Sequence, residues 1–106
     1  MGDDYKAKFL IGQIIRHKLF NYRGVIFDID PFFQSSDEWY EQVARSRPPK
    51  NHPWYHVLVD GAEHSTYVAE RHLVPSELLG QISHPALGQY FARFDGTRYY
   101  GIGPVH

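Results

Sequence analysis

The chain has 106 residues, of which 42% are hydrophobic, 22% charged and 16% aromatic, and its formal net charge is −1. That is one modest domain, too apolar to stay disordered and without the basic excess of a dedicated nucleic-acid binder. Cysteine is absent, which excludes disulfides, thiolate metal centres and a cysteine nucleophile.

Residues 1–8 read as a polar, loose segment. Met1-Gly2-Asp3-Asp4 begins acidic with no apolar stretch behind it, unlike a signal peptide, and Lys6 stands where a myristoylation signal needs Ser or Thr. No run of ~18 apolar residues offers a membrane span, so a soluble, cytoplasmic protein is expected. Gln13 to Leu19 reads as a strand. Tyr22 to Asp30 reads as a second, with Val25, Phe27 and Ile29 on one face and Ile26, Asp28 and Asp30 on the other. Asn21 and Gly24 supply turn chemistry between them, so the two should form an antiparallel hairpin.

Asp30-Pro31 ends the second strand. Ser35, with Glu38 three residues on, fits a capping box, so a short helix is expected over 36–45. The proline-rich run 47–53 is a loop. Trp54 to Val59 is a third strand, Asp60-Gly61 a turn, and Ser65 to Ala69 a fourth strand paired with the third. Glu70 to His72 is a single turn into a fifth short strand at Leu73-Val74. Residues 84–93 suggest one or two helical turns, and the tail from Phe94 is rich in glycine and tyrosine. The fold class is therefore all-β: a small, strongly bent SH3-like barrel of about five strands, with a short helical excursion and a short C-terminal helix or tail. Barrel closure would remove the exposed sheet edges. Val25, Phe27, Ile29, Tyr55, Val57 and Val68 are expected to line one core.

Three segments then carry a resemblance. They are the string from Ile11 to Pro31, the string Pro53-Trp54-Tyr55-His56-Val57-Leu58, and Thr66-Tyr67-Val68-Ala69-Glu70 followed by Leu73. In these the chain resembles the HspQ/YccV-like family, also called the hemimethylated-DNA-binding family. The resemblance covers roughly residues 8–79, the barrel domain. Residues 80–106 form a partly helical C-terminal extension that it does not match. It implies a bacterial cytoplasmic protein, a homo-oligomer with a trimer as one form, and no catalytic residues. Two roles are implied. One is a heat-shock adaptor that promotes proteolysis of denatured proteins with a Lon-type protease. The other is a binder of hemimethylated DNA that affects replication initiation.

His52 and His56 are four apart, but Pro53 intervenes and His56 lies in a strand, so no metal site is expected. Asp28 and Asp30 read as solvated strand charges that disfavour edge pairing. There is no Gly-x-Ser-x-Gly, and Gly101-Ile102-Gly103 lacks a strand–helix context. No enzyme and no cofactor are expected.

Binding candidates are clearer. Five basic residues and no acidic one lie between Tyr5 and Val25, and the bias reverses from Asp28 to Glu41. Arg16, Lys18 and Arg23 therefore form a basic hairpin with Phe20 and Tyr22 at its tip, able to hold phosphates and bases or to dock a protein. The net charge favours the protein. Trp39, Tyr40 and Trp54 read first as core, and as an apolar interface where exposed.

Overall fold

A computed structural model of the chain describes residues 6–101. Most of the loose segment 1–8, and Ile102 and Gly103 of the glycine tail, lie outside the described residues. Strand β1 spans Ile14–His17 and β2 spans Arg23–Asp30; helix α1 spans Asp37–Val43. Strand β3 is Trp54–Val59, β4 is Ser65–Ala69, and a 3-10 turn at Glu70–His72 leads into β5, Leu73–Pro75. Helix α2, Leu87–Tyr90, precedes β6, Phe91–Phe94, and β7, Tyr99–Gly101.

The first five strands form one antiparallel sheet in the order β4-β3-β2-β1-β5, and β6 and β7 form a hairpin. The fold is all-β, as the sequence indicated. The sheet curls strongly, because the three residues Glu70–His72 connect its two outermost strands. Among the described residues β4 and β5 do not pair, so the curl leaves a seam where the expected barrel would have closed.

Local chemistry accounts for the turns. Asn21 takes φ 60° and its N–H donates to the His17 carbonyl at 2.8 Å, which reverses the chain between β1 and β2. The helix is capped by Ser36, one residue beyond the expected Ser35, whose hydroxyl accepts from Trp39 N–H at 3.1 Å. Gly24 has no room for a side chain: a Cβ there would lie 2.4 Å from Val57 Cγ1 and 2.6 Å from the Leu58 oxygen.

A bulge at Phe27 changes the expected core. Ile26 pairs with Val57 and Asp28 with His56, so Phe27 is an extra residue on β2. It reverses the alternation from that point. Ile26 and Ile29 therefore face inward with Phe9, Ile15, Tyr55, Val57, Val68 and Leu73. Val25 and Phe27, expected in the same core, face the opposite side with Ile14 and Leu58. That second face is covered by Ile82, Phe91 and Tyr99 from the segment beyond residue 79. Tyr99 Oη accepts from Ile82 N–H at 2.8 Å, and Tyr99 N–H donates to the Gly12 carbonyl at 2.9 Å. Gly12, at φ 91°, permits this approach, since a Cβ would fall 2.0 Å from the Tyr99 oxygen. The segment beyond residue 79 thus supplies β6, β7 and half of the buried second core. A third cluster packs Phe33, Tyr40, Ala44 and Ala69 around Trp54.

The bulge makes a testable ranking. Ile26 is fully buried and Phe27 only half-buried. Ile26→Ala should cost ~2–5 kcal/mol, and Phe27→Ala less, although the larger ring is removed. Chemical denaturation of both variants checks this; an unbulged strand would give the reverse order.

Candidate functional site

The seam is a groove of ≈ 630 Å³ that straddles the outer edge of β4. One lip is the inside of the curl, with His17, Tyr22, Thr66, Val68 and His72; the other carries Trp39, Val43, Trp54 and Tyr67. No carboxylate side chain lines it, while Arg45 does.

The inner lip is built on His17. This ring is buried, and its Nδ1 accepts from the N–H groups of Leu19 and Phe20, both at 3.1 Å. Two donors at Nδ1 fix the neutral tautomer with its proton on Nε2. The ring lies against Phe20, Tyr22 and His72, with centroids 4.8, 5.2 and 5.7 Å away. The tip so held projects Leu19 and Phe20 outward, 64% and 75% exposed. Two large apolar side chains in a row at a turn tip, Leu19 beside Phe20, are the signal of this feature in the sequence. Tyr22 Oη meets Thr66 Oγ1 at 2.7 Å and ties the tip to β4.

The outer lip rests on a polar corner. Asp30 Oδ2 accepts from Tyr67 Oη at 2.6 Å and from His56 Nε2 at 3.1 Å. Burial and this bond to Asp30 push the Tyr67 hydroxyl above its ordinary range. Tyr67 stacks on Trp54 at 5.2 Å and meets Trp39 edge-on at 5.6 Å. The bulge also brings Asp28 opposite His56, and one ligand atom each from Asp28, Asp30 and His56 lies within 4.8 Å of the others. An imidazole with two carboxylates is a set that could hold a divalent cation. The sequence reading treated His56 and the aspartates separately, because their meeting depends on strand register.

The basic hairpin is redistributed. Arg23 reaches the carbonyls of Leu78, Gly80 and Gln81 at 2.6, 3.0 and 3.2 Å, and Asp60 Oδ2 at 3.1 Å. It is a staple for the segment after β5, not a surface cation. Arg16 donates to Asn21 Oδ1 at 3.2 Å, and Lys18 is exposed. Phe20 and Tyr22 reach the groove, while Arg16, Lys18 and Arg23 do not line it. Of the aromatic trio, Tyr40 and Trp54 are buried and Trp39 is half-buried in the groove wall. They are mainly core. Tyr67 and Val43 were not anticipated.

Residues 7–98 match the family model described as "Hemimethylated DNA-binding protein YccV like". The chain belongs to the YccV-like family. It is also 36% identical over 93 residues to F-box only protein 21 of Homo sapiens, and equally to that of Pongo abelii. The alignment covers 86% of this chain and 15% of either relative, so the shared stretch is a small part of those proteins. Among the described residues of this YccV-like chain, no helix is long and apolar enough to cross a membrane.

The groove's histidines carry a pH prediction. Burial first, and then the neighbouring His72, lowers the affinity of His17 for a proton; burial, then Arg71 and Lys18, does the same for His72. Their folded values lie below the ordinary 6.5. The unfolded chain therefore takes up protons first, and stability is full above that value and falls as pH drops below it. Urea midpoints should decline from pH ~7.5 to ~5. His17→Asn, which keeps an acceptor for the two amides but cannot be protonated, should flatten that decline.

Proposed function

We propose that this YccV-like chain is a non-catalytic adaptor whose aromatic seam takes hold of exposed apolar segments of denatured proteins. The observation that carries this reading is the groove itself: apolar and aromatic on both lips, free of carboxylates, and bordered by Leu19, Phe20 and Val43, all more than half exposed. A soluble protein leaves such a surface where it binds a partner. The family resemblance supports the rest of the proposal: a cytoplasmic, homo-oligomeric heat-shock factor that hands clients to a Lon-type protease.

The second reading is binding of hemimethylated DNA, and the family's own description favours it. Against it stands Arg23, whose guanidinium is committed to three carbonyls and Asp60. That leaves half-buried Arg16, itself bonded to Asn21, and exposed Lys18 as the remainder of the proposed basic surface, and few phosphate contacts mean weak, weakly salt-dependent binding.

One titration series compares the two. The probes are a heat-denatured reporter protein, its native form, and unmethylated, hemimethylated and fully methylated duplexes. The denatured reporter should bind and the native form should not. Phe20→Ala and Trp39→Ala should each weaken that binding by about tenfold, as truncating a central aromatic contact does, with Lys18→Ala close to neutral. Tight binding confined to the hemimethylated duplex, lost in Arg16→Ala and Lys18→Ala, would overturn the adaptor reading.

A further inference from the structure

The adaptor reading says what the groove holds; the backbone of β4 says how. At the two ends of the β3–β4 pairing, Val59 N–H donates to the His64 carbonyl and Glu70 N–H to the Pro53 carbonyl. Hydrogen-bonded pairs alternate along an antiparallel ladder. With Tyr55 opposite Val68 and Val57 opposite Thr66, those two pairs are bonded to β3. The backbone groups of Ser65, Tyr67 and Ala69 therefore point the other way, out of the sheet and into the groove. Among the described residues nothing bonds to them. An edge of this kind, neither charged, covered nor bulged, is a template for another strand.

The side chains around that edge define the occupant. On the inner lip Thr66 and Val68 point towards Tyr22 and the first core; on the outer lip Tyr67 packs with Trp54 and Trp39. A strand added beside β4 would lay successive side chains alternately on the two lips. Both lips are mainly apolar or aromatic, with His17, Thr66 and His72 adding polar groups on the inner one, so the best occupant is a strand apolar at consecutive positions, like strands buried on both faces. Arg45 stands exposed in the groove wall and makes no ion pair among the described residues, which suits an acidic residue flanking that run. A second copy of this chain fits poorly. Its β4 is recessed between the Phe20 tip and α1 in the same way, and two recessed edges do not meet. A single extended chain can enter.

We infer that β4 captures a client by strand addition: an extended, continuously apolar segment flanked by acidic residues pairs with the backbone of Ser65, Tyr67 and Ala69 and fills the seam of the curled sheet. This rests on the adaptor reading but is tested separately. The probe is a synthetic peptide as long as β4, of alternating valine and phenylalanine with aspartate at each end. It is compared with two forms N-methylated at one or the other set of alternate amides. In strand addition only one set of N–H groups faces β4. One methylated form should therefore lose about tenfold or more in affinity and the other should bind like the parent. On the protein, Ser65→Pro removes an outward N–H without touching the β3 ladder. It should weaken binding while melting like Ser65→Ala, which should bind normally.

If denatured reporter binds but both methylated peptides bind like the parent, or both lose equally, strand addition is overturned and the adaptor reading stands. If the parent peptide fails where the denatured reporter binds, strand addition is again overturned. If neither binds, both readings fall. Self-association at rising concentration, abolished by Ser65→Pro, would overturn the choice of occupant in favour of a second copy.

Discussion

The three-residue connection from β4 to β5 is the constraint on which the architecture turns. A flat sheet of this order would hold its outermost strands about 19 Å apart, at ~4.8 Å per strand step. A 3-10 turn of three residues spans roughly 6 Å. The sheet must therefore curl until its two ends meet at Glu70–His72. The meeting point is fastened: Tyr55 Oη donates to Glu70 Oε2, and Lys18 N–H donates to the His72 carbonyl at 2.8 Å. Away from the turn, β5 is committed to β1 and ends in Pro75, so β4 keeps a free edge. The curl and the groove are consequences of the same short link.

The strands, the helix and the turn at Glu70–His72 were legible because each is written locally. Alternation marks Trp54–Val59, serine and acid mark the start of α1, and Asp60-Gly61 marks a turn. What failed was parity. Nothing in Arg23-Gly24-Val25-Ile26-Phe27-Asp28 announces an extra residue at Phe27, because all the neighbouring choices are apolar and either face can take them. The register is decided by what covers each face. Gly24 must sit against Val57 and Leu58, and Val25 must meet Ile82 and Tyr99, which arrive from far along the chain. For the same reason Tyr99 and Tyr100 read as a tail when they are a strand.

The candidate site was half legible. Phe20 and Tyr22 were found because aromatics at a hairpin tip are visible in sequence. Arg16, Lys18 and Arg23 suggest a patch because they are close in sequence, and Arg23 does face Arg16 across the β1–β2 pair, but its guanidinium is taken up by partners that only the folded chain supplies. Those partners are Asp60, 37 residues along the chain, and the carbonyls of Leu78, Gly80 and Gln81, 55 to 58 residues along it. The free edge of β4 could not be read from sequence at all, since Ser65-Thr66-Tyr67-Val68-Ala69 would look the same paired on both sides. Edge status belongs to topology.

Under the proposed adaptor role, topology would also give a preference for unfolded over folded partners without any base or motif being read. Native edge strands are short, charged, bulged or covered, and their outward faces are polar. A groove apolar on both lips gains little from them. A segment apolar on both faces is a buried strand, present at a surface only after its own domain has opened. Tyr67, anchored through its hydroxyl on Asp30, holds its ring against Trp54 and Trp39, so the outer lip is preformed and ordering it costs little on binding. The inner lip hangs on a neutral His17 holding the turn at Leu19 and Phe20. The groove is thus preformed on one side and dependent on a single imidazole on the other, and the weaker support lies at the tip that borders the free edge of β4.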